Sequence, residues 1–203
     1  MNLFVKSVEG NAPERRLSSA PEIQTPADWS RNNILLINYR RGLWFATYRP
    51  DGSLAGEPRV YLQGQFNYSG GRFSPEPEPR HVVYVSNESG RSEIYVDEFP
   101  QPRAKVRVSH DGGTFPDWSA DGREIFWISP SGALVSATVR ATSNGLSPDS
   151  PREPIDLKVS LGNPNYRVSP DGRRILAITA ADTGRSLIEV ISNWPALAPA
   201  EAR

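Results

Sequence analysis

Residues 115–129 read FPDWSADGREIFWIS, and residues 166–179 read YRVSPDGRRILAIT, with the same turn in the same frame. Each stretch holds a short apolar run, an Asp-Gly turn and a second apolar run. Glycine tolerates a positive φ without a Cβ clash, so such a turn favours a tight hairpin between two strands. The repetition predicts a recurring β unit, and it makes a single active-site loop a poor interpretation of either stretch.

The unit occurs four times when the copies are aligned on its serine, with spacings of 44, 45 and 50 residues. The copies are DWSRNNILLI at Ser30, RFSPEPEPRHVVYV at Ser74, DWSADGREIFWI at Ser119 and RVSPDGRRILAI at Ser169. A period in the forties built from short strands is typical of a four-stranded propeller blade. The sequence therefore predicts an all-β fold, a β-propeller of four-stranded antiparallel blades. A β-sandwich with coincidental Asp-Gly turns is the alternative, and the agreement of four registers argues against it.

The strands of each unit follow from its apolar runs. An apolar residue before the serine ends the innermost strand, at Trp29, Phe73, Trp118 and Val168. The second strands are NILLINY, HVVYVSN, EIFWIS and RILAIT, and the third strands are LWFATYR, EIYVDEF, ALVSATV and SLIEVIS. More polar fourth strands are expected at PRVYLQG, AKVRVSH and REPIDLKV.

The predicted organisation is about four and a half blades. Residues 1–20 form a half blade of two strands, 21–65, 66–112 and 113–160 form blades, 161–195 form a last blade of three strands, and 196–203 form a flexible tail. Three explanations stay open. The chain is part of a larger propeller, which we favour; or PERRLSS pairs with SLIEVIS to close a five-bladed ring; or the open blade edges pair in a homodimer.

Composition excludes several classes of function. Acidic and basic residues balance at 23 each, which gives no reason to expect binding to nucleic acid or to an anionic membrane surface. The chain has no cysteine, which excludes disulfides, thiolate metal sites and cysteine nucleophiles and leaves the compartment open. No apolar run approaches the roughly 18 residues of a membrane-spanning helix, so we expect no membrane insertion.

The sequence shows no catalytic motif. Its two histidines, His81 and His110, have no histidine or cysteine at the spacing of a zinc site. The nucleophile elbow, the H-E-x-x-H pair, the P-loop and the dinucleotide fingerprint are all missing. The Asp-Gly aspartates lack the spacing of a calcium loop. We expect no catalytic residue, no cofactor and no metal site, and therefore predict that this chain is not an enzyme.

One set of residues could form a binding site. Two residues before each anchor serine stand Asp28, Arg72, Asp117 and Arg167, on the innermost strands near the mouth of the channel. Their alternating charges either create a polar ligand site or neutralise one another as a structural ring. Aromatic residues that lead into these strands could add a rim to such a site; they are Tyr68, Phe115 and Tyr166.

These motifs resemble those of a known family. WSADGREIFWIS and VSPDGRRILAIT are similar to the W-S-P-D-G-R-x-I-x-F signature of TolB-like, WD-type propeller repeats. The stretch from SNESGRSEIYV to SGALVSATV, and the ending IEVISNWPALAP, resemble the C-terminal propeller of bacterial serine/threonine protein kinases. The resemblance covers nearly the whole chain. It is weakest in the first 65 residues, where RNN replaces the turn, and the second copy departs from it with PEPEPR.

The resemblance implies a function as well as a fold. Members of the family usually close with six or more blades. It implies a non-catalytic module that binds a protein, a peptide or a small ligand on its channel face, as the sensor or scaffold region of a bacterial signalling protein outside the cytoplasmic membrane. An alternative is the accessory propeller of a prolyl-oligopeptidase-type serine peptidase. A glycosidase or lactonase propeller would need a metal site or more inward carboxylates than Asp28 and Asp117.

Overall fold

The computed structural model describes residues 2–8, 13–142, 145–152, 154–156, 166–169, 174–180 and 186–192. The regular structure of these ranges is entirely β. A two-stranded sheet of β1 (Phe4–Val5) and β2 (Arg15–Arg16) comes first. The first full sheet contains, in spatial order, β3 (Gln24–Trp29), β4 (Ile34–Tyr39), β5 (Gly42–Thr47) and β6 (Arg59–Leu62).

Three further sheets follow in the same antiparallel order. The second contains β7 (Tyr68–Phe73), β8 (His81–Ser86), β9 (Glu93–Glu98) and β10 (Val106–Arg107). The third contains β11 (Thr114–Trp118), β12 (Glu124–Ile128), β13 (Leu134–Thr142) and β14 (Gly145–Pro148). The last contains β15 (Tyr166–Val168), β16 (Arg174–Ala180) and β17 (Ser186–Ser192). We call the four sheets blades one to four.

The first strands of successive blades contact one another, in the order β3, β7, β11, β15. These are therefore the inner strands, and each blade runs outward from them. This arrangement confirms the predicted β-propeller of four-stranded blades.

The hydrophobic core lies between the blades. Val82 to Val85 of β8 and Ile125 to Ile128 of β12 are buried without interruption, because each blade is covered on both faces by its neighbours. One cluster joins blades two and three, around Val83, Ile94, Trp118 and Trp127. Similar clusters join blades one and two and blades three and four.

The anchor serine performs the same task in each blade. Its hydroxyl oxygen accepts the backbone N–H of the first residue of the second strand, at 2.9–3.0 Å: Ile34 for Ser30, His81 for Ser74, Glu124 for Ser119 and Arg174 for Ser169. The backbone N–H of each serine donates in return to the carbonyl of the same residue. Because the serine closes the loop at its base, the loop can vary in length, which explains why blades one and two tolerate other turns.

The fourth strand of blade three differs from the prediction. It was expected at REPIDLKV but is formed by Gly145–Pro148, because β13 extends to Thr142 and the chain then returns along it. Gly145, at a φ of 108°, permits this return, and Leu146 packs against the core. From the predicted segment, residues 152–159, Ile155 forms a bridge with Leu134 and the Arg152 N–H donates to the carbonyl of Ser136; residues 153 and 157–159 lie outside the described ranges.

Ring closure through PERRLSS is not the arrangement of the described strands. β2, which lies within that segment, pairs with β1, and β17 pairs with β16. The pairing partner of β2 is supplied locally by the N-terminal strand. Within the described residues, no helix has the length and apolarity needed to cross a membrane. The predicted tail, residues 196–203, lies outside these residues.

Candidate functional site: the inner strands

A bulge interrupts each of the inner strands β3, β7 and β11 just before its charged residue. The register shifts between Pro26 and Asp28, between Ser69 and Arg72, and between Thr114 and Asp117. Bulges bend a strand and redirect its side chains, and they are frequent at functional edges. The repeat therefore places its variable charged residue at a point where the backbone departs from regular pairing.

Asp28 and Arg72 connect blades one and two. Asp28 Oδ2 accepts the backbone N–H of Phe73 at 2.8 Å, and its Oδ1 accepts the N–H of Trp29 at 2.9 Å. Arg72 Nη1 donates from blade two to blade one, to the carbonyl of Ala27. Both side chains are partly buried. Their contacts are those of structural links between blades.

Asp117 and Arg167 form the corresponding link between blades three and four. Arg167 Nη1 lies 3.4 Å from Asp117 Oδ2, and Trp118 Nε1 donates to the carbonyl of Arg72 at 3.2 Å. Burial raises the pKa of Asp117; Arg167 and Arg72 oppose the shift, and Asp28 adds to it. The structure thus brings the four charges into one interacting set. Arg167 differs from the others because 66% of its side chain is exposed.

The three aromatic residues occupy different environments. Tyr166 is buried against Phe126, Ile128 and Ile175, its hydroxyl donates to the carbonyl of Phe115 at 2.8 Å, and burial raises its pKa. Tyr166 therefore cannot belong to an exposed aromatic rim, because the packing of blade four on blade three covers it.

Tyr68 is half-buried, with its ring edge against Tyr84 at 6.1 Å between centroids. Phe115 is the most exposed of the three, at 41%. The rim predicted from the sequence is thus reduced to one exposed ring and one half-buried ring.

Phe115 has an unusual backbone conformation. Its φ is 54°, and the equivalent position of blade two is occupied by Gly70 at 62°. The left-handed region costs a residue with a Cβ about 1–2 kcal/mol, and such strain concentrates at functional positions. An aromatic side chain here is strained and still 41% exposed, so packing accounts for it only in part.

The predicted histidines have ordinary surroundings. His81 is half-buried, and burial is the main cause that lowers its pKa. The carbonyl of His110 accepts a hydrogen bond from Arg91 Nη2 in a turn. Within the described ranges, no three side chains of histidine, aspartate or glutamate lie together as a candidate metal site.

Sequence reasoning missed the polar groups that blade packing buries without a partner. Among the described residues these include Glu76 Oε2 and Trp44 Nε1. The one signal available for Glu76 was its place in PEPEPR, the loop that departs from the repeat.

Comparison with known proteins gives a fold. No family model and no curated protein matches the chain. TolB from Acinetobacter baumannii is similar in structure, with a TM-score of 0.62 at 13% identity, over 95% of this chain and 46% of TolB. An oligogalacturonate lyase solved in complex with manganese gives 0.57 at 12% identity, over 89% of this chain and 51% of the lyase.

A puromycin-hydrolysing peptidase of Mycobacterium tuberculosis gives 0.58 at 14% identity, over 89% of this chain and 29% of the peptidase. At these identities the likeness shows the fold, that of TolB-like β-propellers. The chain spans about half the length of TolB and of the lyase and less of the peptidase.

Proposed function

We propose that this chain is a non-catalytic binding module, a TolB-like propeller sector that presents its inner strands to a protein, a peptide or a small ligand. The observation that carries the proposal is Phe115, an exposed aromatic ring held in a left-handed conformation where blade two has glycine. A residue that is strained and incompletely packed is expected to persist because it contacts something else.

The surroundings of Phe115 fit such a contact. Asp117 lies two residues away in the same bulged strand, and the largely exposed guanidinium of Arg167 pairs with it. An apolar ring beside one acid and one base suits a ligand with apolar and polar parts, and a peptide segment is the simplest example.

The wider role is also part of the proposal. The resemblance of the repeats to kinase-associated propellers supports a sensor or scaffold function in a bacterial signalling protein, and by analogy a location outside the cytoplasmic membrane. The described charges of the inner strands serve links between blades, which supports a binding role over a catalytic one.

The test is a single substitution with two readouts. Phe115→Gly should leave the melting temperature unchanged or raise it, because glycine removes the backbone strain. It should also abolish crosslinking of the chain to its partner in bacterial cells. Val60→Ala, which alters an exposed apolar residue of the outer strand β6, is the matched control and should leave crosslinking unchanged. Retained crosslinking in Phe115→Gly would refute the proposal.

A second candidate is the accessory propeller of a serine peptidase. The structural likeness to the mycobacterial peptidase favours it, although it rests on the fold. The genomic reading frame separates the two candidates: a kinase domain encoded upstream supports the first, and a hydrolase domain encoded downstream supports the second.

A further inference from the structure

The inner loop of blade two departs from the repeat. Seven positions separate Ser74 from His81, whereas five separate Ser119 from Glu124 and Ser169 from Arg174. The loop, PEPEPR, is thus two residues longer, and its three prolines fix φ and remove backbone donors. A stiff loop of this kind costs little entropy to order, so it can hold its side chains at fixed positions.

This loop contacts blade three and borders a cavity. A Cβ added to Gly122 would stand 3.3 Å from Pro75, so the two inner loops are in close contact. Between blades two and three lies a cavity of about 510 Å³, within the range of sites for small ligands. The PEPEPR loop and His81 form one wall, and the inner hairpin of blade three with β13 and β14 forms the other.

Glu76 supplies an unsatisfied acceptor in this cavity. Its Oε2 is buried and has no hydrogen-bond partner among the described residues. A buried carboxylate oxygen without a donor costs free energy, and native structures supply a partner for nearly all such atoms. The atom therefore indicates a donor group that enters from outside.

Positive charge surrounds the same cavity. Arg80, Arg123 and Arg140 line it and are exposed, and Arg140 is paired with Asp149 at 2.6 Å. Among the described residues neither Arg80 nor Arg123 forms an ion pair, so both guanidinium groups can receive an anionic group. The remaining titratable group, His81, is held towards its neutral form by burial, with Arg80 adding to that effect and Glu76 and Glu98 opposing it.

We propose that this cavity binds a small zwitterion, with its cationic donor on Glu76 and its acidic group on Arg80 and Arg123. A compound with positive charge alone would bind Glu76 but be repelled by the arginines, and a compound with negative charge alone would bind the arginines but be repelled by Glu76. The site lies between blades and shares no residue with the inner-strand site at Phe115, so either can fail alone.

The experiment is calorimetric titration of the chain with four probes. Glutamate and 4-aminobutyrate are zwitterions, putrescine carries positive charges alone, and succinate carries negative charges alone. We expect the better zwitterion to bind at least tenfold more tightly than putrescine and succinate. Glu76→Gln should weaken the binding of this zwitterion at least tenfold, and Arg123→Gln should weaken it about fivefold. Glu78→Gln, which alters an exposed residue of the same loop, should leave the affinity unchanged.

Melting temperatures separate a binding role from a structural one. Glu76→Gln should keep or raise the melting temperature of the free chain, because a neutral amide costs less to bury than a carboxylate whose Oε2 has no donor. A lower melting temperature, binding that survives Glu76→Gln, equal binding of putrescine or succinate, or no binding of either zwitterion at millimolar concentration would each overturn the proposal. Phe115→Gly should bind the zwitterion as the unaltered chain does.

Discussion

At the scale of single residues, the anchor serines carry the local structure. Ser119 Oγ donates to Asp121 Oδ1 at 2.6 Å and accepts the N–H of Glu124 at 2.9 Å, and the first of these bonds is the main cause that lowers the pKa of Asp121. Ser30 uses Asn32 in the same way. The aspartate or asparagine of the turn is thus a partner of the serine hydroxyl, which explains why either can stand there.

Removal of this hydroxyl should have two measurable effects. Ser119→Ala should lower the free energy of unfolding by about 1–2 kcal/mol, because the N–H of Glu124 loses the hydroxyl oxygen that accepts it, and should raise the pKa of Asp121 towards its ordinary value. Urea denaturation and carboxyl NMR titration measure the two. Ser89→Ala, at an exposed turn, should change neither; equal effects in both variants would contradict this account.

Asp117 makes a prediction about pH. Since burial raises its folded pKa above the ordinary 3.8, its ionised form opposes folding. This penalty is fully present above the folded pKa and disappears as the pH falls below 3.8, so Asp117 favours folding in acid relative to neutral pH. Arg167→Gln should raise the pKa of Asp117 further, because Arg167 lowers this pKa more than Arg72 does. A titration midpoint at or below 3.8 in the unaltered chain would contradict the prediction.

At the scale of elements, the hairpin between β4 and β5 turns through Arg40 and Arg41. Their φ values are 51° and 61°, and Tyr39 pairs with Gly42 across the turn. Two-residue turns of this type favour Asn-Gly, because both residues need a positive φ. Two arginines fill it here at the expense of backbone strain.

Replacement of this turn should stabilise blade one. The double variant Arg40→Asn/Arg41→Gly should gain about 1 kcal/mol, since relief of the left-handed strain exceeds the loss of the exposed Arg40–Glu22 ion pair. The urea midpoint measures this gain. A loss of stability would show instead that the arginine side chains contribute more than their contacts with Glu22, Asn67 and the ring of Tyr39.

At the scale of the whole molecule, equivalent residues of blades three and four differ in burial. Phe126 and Ile128 of blade three are buried against blade four, whereas their equivalents in blade four, Leu176 and Ile178, are 48% and 41% exposed. Exposed apolar side chains on one face of a strand favour association. At these two positions blade four thus exposes apolar side chains of the kind that blade three buries between blades.

We expect this face to associate with another copy when the chain is studied alone. Leu176→Glu/Ile178→Glu should shift the molar mass measured by light scattering towards the monomer and leave the melting temperature of the monomer unchanged. Val60→Glu, at an exposed position on β6, is the control. If the unaltered chain stays monomeric at high concentration, this expectation is wrong.

The sequence by itself determined the blades. The serine, the turn residues and the apolar strands interact within a few positions of one another, so their pattern specifies each hairpin before any neighbour is in place. The inner position of Asp28, Arg72, Asp117 and Arg167 followed from the same alignment. The fourth strand of blade three was misplaced because a hairpin at Gly145 competes with the more regular REPIDLKV.

Tertiary structure alone decided what each side chain meets. Trp29 and Trp118 occupy the same position of the repeat, yet Trp29 is 49% exposed and Trp118 is 7% exposed, because blade two covers Trp118. The burial of Tyr166, the strain at Phe115 and the unpaired oxygen of Glu76 arise in the same way. Links such as Asp28 to Phe73 join residues 45 positions apart, and the burial and charge of a site depend on these distant neighbours, which a local pattern does not encode.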